Sequence, residues 1–363
     1  MRKIVMCVVV GVMLCSLILV GACTKQAPAP SPSGIEPVKL RLSSTWASQS
    51  SAGTRTQWFM DEVTKRTNGM VTWEPYWASA LAPSKGQLDL VEKGAVDIMD
   101  ATAMYWPTEF PTASLAFCWP IGSATDPIIV AKAARQLYNE FPEIAESYKK
   151  RNVKVLCYST FSYYRLLSRT PINNLEDLKG KKVALIGRFF GGWFEPAGAV
   201  PVVMSFGDRY AALQAGLIDA SLLTVSTQYT TSQYEVAKYM SNFDVGTFSV
   251  EGIMINLDSF NELAPEVQKV LVEVGEEAQL FMAENEKKLK DETVEKLKAE
   301  GVTVTEFPAE DIAAWAALIP DVPAEVAAEL EEAGMPGWKI TKRWQEITTE
   351  LGYKWPRQWA VQK

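Results

Sequence analysis

The chain has 363 residues, of which 48% are hydrophobic, and 36 basic against 43 acidic residues give it a formal net charge of −7. This is the composition of a globular protein, and its negative charge makes nucleic acids and anionic lipid surfaces poor partners. The sequence contains no histidine, which excludes Ser-His-Asp and Cys-His catalysis and histidine-ligated zinc. It also lacks a P-loop, a Rossmann fingerprint and a nucleophile elbow, so neither a cofactor nor a metal site is predicted.

Residues 1–22 have the pattern of an export signal. Two basic residues precede an apolar run that ends at Ala22, and the stretch from Val20 to Cys23 resembles a lipobox. We therefore predict that Cys23 is lipid-modified and holds the mature chain at a membrane outside the cytoplasm, in the periplasm or at the cell surface. An uncleaved membrane helix is the alternative, since about 20 apolar residues span a bilayer. Residues 23–37 are rich in Pro, Ala and Ser and predict a flexible linker.

The folded part is predicted to begin near Val38 and to form two lobes, because about 325 residues exceed what one hydrophobic core usually serves. Its first elements form a βαβαβ run, with Ser84 as the expected cap of the second helix. The strands are predicted at 38–42, 70–74 and 96–99, and the helices end at Asn68-Gly69 and at Gly94.

A second stretch repeats this order of elements. Its strands are predicted at 182–186 and 217–220, and the helix between them runs from Asp208 to Ala215. The joint between helix and strand reads Gly94 to Asp97 in the first stretch and Gly216 to Asp219 in the second. The repeat indicates two similar α/β lobes, and a ligand is expected in the crevice at the carboxyl ends of their strands.

The last third of the chain contains a long helical segment and a tryptophan-rich tail. Residues 263–300 predict one or two long helices, because Pro265 suits a first turn and the apolar residues that follow recur at helical spacing. A charged helix is marginal unless it is packed, so we expect this one to lie across both lobes. The tail is expected to pack over the lobes, and contact with a partner subunit or a membrane is the alternative.

Two cysteines, Cys118 and Cys157, remain outside the leader and the lipid-modified position. Both lie in apolar stretches, which favours buried thiols, with a disulfide between them as the alternative.

Several local motifs resemble the solute-binding proteins of TRAP transporters, the tripartite ATP-independent periplasmic family. The motifs of the first lobe are the turn from Arg66 to Val71, the Gly-x-Val-Asp motif that ends at Asp97, and Phe110-Pro111. Those of the second lobe are Pro171-Ile172, the run from Leu175 to Gly180 and the run from Ala212 to Gly216. The resemblance extends from about Val38 to Phe307.

The resemblance implies a two-lobed fold of the periplasmic binding-protein type, in which each lobe is a βαβ sheet flanked by helices, crossing strands join the lobes and a long helix bridges them. The implied boundaries are 38–160 plus about 248–285 for lobe I, 161–247 plus about 286–335 for lobe II, and 336–363 for an extension. The implied function is non-enzymatic. The lobes close like a hinge on a small organic solute, which is then delivered to the small and large membrane subunits of an ion-driven permease.

The pocket departs from the pattern of the family members that bind carboxylates. Those members have an arginine at the position of Ala184, where a planar guanidinium holds the carboxylate. A second family arginine falls at Tyr163 or Tyr164, beside Arg165, and an asparagine of sialic-acid binders falls near Leu223. Aromatic and aliphatic side chains therefore take the place of the polar side chains that bind the ligand in those family members.

The candidate ligand-binding residues are mostly aromatic, and they support two ligand chemistries. In the first, Arg165 or Arg188 holds the acid group of an aromatic or otherwise apolar carboxylate; in the second, ring faces hold a neutral or cationic solute near Asp100 or Glu195. The candidates are Trp46, Asp100, Tyr105, Trp106, Tyr163, Tyr164, Arg165, Arg188, Trp193, Phe206 and Leu223.

An enzyme and a ligand-binding sensor or scaffold are the alternatives to a transport receptor. An enzyme would have to use paired acids, Asp97 with Asp100 or Asp208 with Asp219, but the equivalent positions of Asp97 and Asp219 favour a role in the two turns. A lipoprotein sensor or scaffold that binds the same ligand without feeding a permease is the stronger alternative.

Overall fold

The computed structural model describes residues 36–121, 126–185 and 187–359. The strands within these residues are β1 Val38–Ser44, β2 Val71–Tyr76, β3 Ile98–Asp100, β4 Val153–Ser168, β5 Lys182–Leu185, β6 Val200–Val203, β7 Ala220–Thr224, β8 Tyr239–Ser241, β9 Gly246–Asn256 and β10 Thr303–Thr305. The α-helices are α1 Ser51–Arg66, α2 Gln87–Glu92, α3 Pro127–Glu140, α4 Pro142–Lys149, α5 Gly187–Phe194, α6 Arg209–Gln214, α7 Val225–Thr230, α8 Leu257–Glu262, α9 Pro265–Ala299, α10 Ala309–Leu318, α11 Val322–Glu332 and α12 Gly337–Glu350. The export signal, Cys23 and most of the predicted linker lie outside the described residues.

One sheet contains both predicted lobes, in the order β2-β1-β3-β9-β4-β7-β5-β6. Strands β1 to β3 are parallel and form its first half, and β5 to β7 are parallel and form its second half. The long strands β4 and β9 are antiparallel to each other and join the halves. The two parallel half-sheets are the α/β lobes that the sequence pattern predicts, and the crossing strands between them are those that the family resemblance implies.

The two Gly-to-Asp joints have the same hydrogen bonds. The carboxylate of Asp97 accepts a bond of 2.8 Å from the Arg41 backbone N–H, and that of Asp219 accepts one of 2.9 Å from the Lys182 N–H. In both joints the aspartate N–H also donates back to the carbonyl of the same residue, at 3.0 and 2.8 Å. Each aspartate thus ties the turn before its strand, β3 or β7, to the neighbouring parallel strand, β1 or β5. This supports the predicted turn role.

The structure of these joints also explains why the predicted first residues of two strands were wrong. Strands β3 and β7 begin two or three residues later than expected, at Ile98 and Ala220. The N–H groups of Leu217 and Ile218 still donate to the Ala212 carbonyl of the preceding helix, so these residues complete the helix end. Likewise, Ser84 opens a short 3₁₀ turn without capping it by its side chain.

Helix α9 is a single helix of 35 residues, and it contacts α1, α3, β4 and α7. It therefore packs on elements of both halves, as predicted. The predicted boundaries at 160/161, 247/248 and 285/286 fall inside β4, β9 and α9, the elements that cross between the halves. No helix among the described residues is long and apolar enough to cross a bilayer.

The C-terminal helices pack onto the rest of the protein. Trp315 of α10 donates its indole N–H to the Trp193 carbonyl at 2.7 Å, and α11 contacts the turn Pro111–Ala116. Rings of the tail lie against Trp119, with Trp344 at 6.2 Å and Trp355 at 5.2 Å between ring centres. The tail therefore packs over the body of the protein, as expected.

Cys118 and Cys157 are both buried and are not joined in a disulfide. Burial raises the pKa of the Cys157 thiol, so both side chains behave as small core residues.

Candidate functional site

Aromatic rings from the two half-sheets meet where β4 and β9 cross between them. Phe117, in the segment after β3, stacks on Phe248 of β9 at 4.5 Å and lies edge-on to Phe190 of α5 at 6.3 Å. Tyr164 of β4 contacts Phe190 at 5.6 Å and Phe248 at 5.3 Å, and Trp193 contacts Phe190 at 4.6 Å. We call these five residues the crossing-point ring cluster; all are buried.

The ring cluster includes residues from two connections that follow parallel strands. Phe190 lies in α5, directly after β5, and Phe117 lies in the connection between β3 and α3. The carboxyl ends of parallel strands are the usual location of a ligand crevice in open α/β sheets. Burial raises the pKa of the Tyr164 phenol to about 12, so this side chain is neutral near pH 7. The cluster offers an apolar surface with one polar hydroxyl group.

Three other predicted rings lie on the first half. Trp46 follows β1, is half-buried and contacts Phe161 of β4 at 5.7 Å between ring centres. Tyr105 and Trp106 follow β3 and contact each other at 5.9 Å. Trp106 is buried and donates its indole N–H to the Lys85 carbonyl at 3.0 Å, so it is fixed in place.

Asp100 is fully buried and its carboxylate is already engaged. Arg55 donates to it at 2.5 Å, Thr56 at 2.6 Å and Ser44 at 3.1 Å. The Arg55 and Asp100 side chains both have an exposed fraction of 0%. This arrangement is an internal ion pair at the end of β3, in which three side chains donate to the Asp100 carboxylate.

Arg165 is also paired. Its guanidinium donates to Asp244 at 2.5 and 3.3 Å, and Lys290 of α9 lies 3.9 Å from the same carboxylate. The Lys290 ammonium sits 4.0 Å from the centre of the Tyr163 ring, and burial raises the pKa of the Tyr163 phenol. Tyr163 and Arg165 therefore belong to a charged cluster beneath α9, separate from the ring cluster.

Ala184, at the position of the family arginine, is fully buried in β5. The guanidinium that lies beside it belongs to Arg209, the first residue of α6, whose Nη1 donates to the Ala184 carbonyl at 3.3 Å, to Ser221 Oγ at 3.2 Å and to the Leu222 carbonyl at 2.8 Å. Its Nη2 donates to the Met204 carbonyl at 3.3 Å. Burial lowers the pKa of Arg209 to about 10, and Tyr164 is the neighbour that opposes this effect.

The remaining predicted residues have varied surroundings. Phe206 is half exposed, at 48%, and its ring centre lies 5.6 Å from the Arg209 guanidinium carbon. Leu223 is buried opposite Arg165. Arg188 belongs to α5, but its side chain is outside the described part of the structure. Glu195 is exposed.

Four residues of this candidate site were not predicted from the sequence: Phe117, Phe190, Phe248 and Arg209. The three phenylalanines look like ordinary core residues in a chain with 10% aromatic content. Arg209 had one available clue, since it follows Asp208 directly at the start of a predicted helix whose inner face must be buried.

The chain belongs to the family described as bacterial extracellular solute-binding protein, family 7, whose model matches residues 42–329. It is 24% identical over 318 residues to the C4-dicarboxylate-binding periplasmic protein of Rhodobacter capsulatus, covering 86% of this chain and 93% of that protein. It is 24% identical over 257 residues to an ectoine-binding periplasmic protein of Halomonas elongata, covering 69% and 74%. The predicted TRAP family is thereby confirmed.

Solved structures have the same fold. A TRAP periplasmic solute-binding protein from Desulfovibrio salexigens matches with a TM-score of 0.80 at 23% identity, covering 87% of this chain and 97% of that one. A TRAP solute-binding protein from Rhodoferax ferrireducens, solved with copurified benzoate, matches with a TM-score of 0.71 at 20% identity, covering 86% and 98%. The two-lobed fold is confirmed, and the family is one of extracytoplasmic solute-binding proteins.

Proposed function

We propose that this protein is a receptor that captures an apolar or aromatic carboxylic acid between its two lobes and delivers it to an ion-driven TRAP permease. The observation that carries this proposal is the crossing-point ring cluster, in which rings that follow β3 and β5 meet across the two halves. A hinge motion about β4 and β9 would part these rings, and closure would press them onto the body of a solute.

The apolar environment argues against short polar solutes. Ala184 and Leu223 stand where family members have polar groups, and both are buried. A sugar acid or short diacid needs a hydrogen-bond partner for each polar atom that leaves water. The ring cluster offers it few such partners, whereas an apolar acid needs them only at its carboxylate.

A cationic solute is less compatible with the geometry than an acid. Asp100, the acid predicted to attract a cation, is fully occupied by Arg55, Thr56 and Ser44. Glu195 is exposed and would attract a cation only weakly. A relative with copurified benzoate shows that this fold accommodates an aromatic acid.

A thermal-shift screen of the mature domain tests the proposed ligand class. The panel contains benzoate, phenylacetate, octanoate, succinate, glucuronate and choline. At about 100 times its Kd a ligand adds roughly 2.7 kcal/mol, which is several degrees of Tm. We expect shifts from the first three; the largest shift from succinate, glucuronate or choline would refute the proposal.

Delivery to a permease and attachment through Cys23 are tested in cells. We expect radiolabelled uptake of the bound acid to require both this protein and the two membrane subunits, and Cys23→Ser to release the receptor from the membrane fraction. Binding without permease-dependent uptake would identify a sensor or scaffold.

A further inference from the structure

Arg209 is exceptional among the buried arginines of the described chain. Arg55 and Arg165 each face a carboxylate at 2.5 Å. Arg209 has an exposed fraction of 0%, yet no described carboxylate pairs with it. Its Nε has no hydrogen-bond partner, a property that it shares with Arg55. All of its acceptors are uncharged oxygens.

An unpaired buried charge costs considerable free energy, so its retention requires an explanation. The first half of the sheet shows the usual solution, because Asp100 lies three residues after Asp97 and neutralises Arg55. The equivalent residue of the second half, three positions after Asp219, is Leu222. The second half of the sheet therefore has a buried arginine but no carboxylate at the equivalent position to neutralise it.

The guanidinium lies near the carboxyl ends of parallel strands. Its acceptors are the carbonyl oxygens of Ala184 near the end of β5, of Met204 directly after β6, and of Leu222 in the middle of β7. Ligands of this fold class bind near the carboxyl ends of the strands. One of these acceptors is the carbonyl of Ala184 itself. Arg209 is thus a helix residue, but its guanidinium lies beside Ala184, the strand position at which the family arginine is missing.

The neighbours of Arg209 match the two parts of an apolar acid. Phe206 lies 5.6 Å from the guanidinium carbon, and Tyr164 pairs with Thr224 of β7, two residues after Leu222, whose carbonyl accepts from Arg209. Tyr164 is also a member of the crossing-point ring cluster. A carboxylate at Arg209 would therefore place the rest of the ligand towards those rings.

We infer that Arg209 holds the carboxylate of the solute, in place of the arginine missing at Ala184 and of the sequence-predicted Arg165 and Arg188. This inference rests on the proposed function, and it assigns the acid specificity of the site to α6. Arg55 and Arg209 both have an unpartnered Nε, but Arg55 already has the carboxylate of Asp100. At Arg209 this N–H is available to a carboxylate oxygen of the solute, and charge-assisted bonds of this kind are the stronger ones.

The test compares acids with neutral ligands of the same shape. Binding of benzoate and phenylacetate, and of benzamide and phenylacetamide, is measured by calorimetry for the wild type, Arg209→Met and Arg165→Met. We expect Arg209→Met to weaken acid binding by about 10- to 100-fold and to leave amide binding within about threefold. Arg165→Met, the matched control, should leave the preference for acids over amides unchanged.

A transplanted arginine keeps the inference testable if Arg209→Met folds poorly. The double variant Ala184→Arg with Arg209→Ala returns the guanidinium to β5, and we expect it to recover acid binding relative to Arg209→Ala alone. Unchanged acid binding in folded Arg209→Met or Arg209→Ala would overturn the inference while leaving the proposed function intact. Failure of the wild type to bind any acid would refute the proposed function itself.

Discussion

At the scale of single residues, the buried arginines Arg55, Arg165 and Arg209 differ in whether a carboxylate of the chain neutralises their charge. Arg55 and Arg165 are neutralised within the chain by Asp100 and Asp244, whereas Arg209 is surrounded by carbonyl groups. The first two therefore contribute to structure, and their removal should affect folding more than binding.

The Arg55–Asp100 pair provides a direct test of this distinction. Asp100→Asn leaves the Arg55 charge buried without a counter-charge, and we expect a loss of about 3 to 5 kcal/mol in the free energy of unfolding, measured with urea. Asp89→Asn removes a carboxylate from the exposed pair with Lys93 and should cost less than about 1 kcal/mol. Equal losses in the two variants would contradict the internal role of Asp100.

Sequence reasoning succeeded for residues whose role is local. The turn role of Asp97 and Asp219 was predictable because each aspartate follows a glycine that ends a helix, a pattern visible within a few residues. Arg209 was missed because its acceptors lie on three different strands. Asp100 was visible as a candidate, but its partner Arg55 is 45 positions away.

At the scale of elements, helix α9 connects the two halves and approaches β4 closely at Gly275. A Cβ atom at this position would overlap the carbonyl oxygen of Leu156. The glycine is therefore required by the packing of helix on strand, despite its poor helix propensity.

Replacement of this glycine should destabilise the protein. Gly275→Ala gains about 1 kcal/mol of helix propensity, but the overlap with β4 should outweigh it and give a net loss of about 1 to 3 kcal/mol. Gly192→Ala in α5 is the matched control, because no atom lies within 4 Å of its added Cβ, and it should be neutral or stabilising. Urea unfolding measures both; stabilisation by Gly275→Ala would show that α9 is not tightly seated.

The boundaries of helices and strands were predictable where the sequence has residues that are typical of a helix end. Helix α1 ends near Asn68 and Gly69, which both have positive φ values. The starts of β3 and β7 were placed too early, because hydrophobic residues of the turn look like strand residues. The division of the sheet by β4 and β9 was expected only from family resemblance, since pairing over such distances leaves no local pattern.

At the scale of the whole molecule, buried phenols make stability sensitive to alkaline pH. The Tyr164 pKa is raised to about 12 by burial, whereas an unfolded chain titrates near 10. The folded state holds this proton more tightly, so the contribution of Tyr164 is fully present below about pH 10 and is lost as the pH rises towards 12.

Comparison with Tyr164→Phe isolates this effect from groups that do not interact with Tyr164. Arg209 does interact with it, and the lowered pKa of Arg209 acts in the opposite direction. Between pH 10 and 12 the wild type should lose up to about 1.4 kcal/mol per pH unit relative to the variant, measured by urea unfolding in parallel. A constant difference across this range would show that the Tyr164 phenol is hydrated in the folded protein.

The C-terminal helices attach to both sides of the crossing point, and we expect this attachment to affect how long a solute stays bound. Helix α10 is held to the segment after β5 through Trp315 and Trp193, and α11 contacts the turn after β3. Separation of the two halves must shift these helices against at least one attachment. We therefore expect their packing to add to the activation barrier for opening, and so to slow the dissociation of the solute through contacts that never touch it.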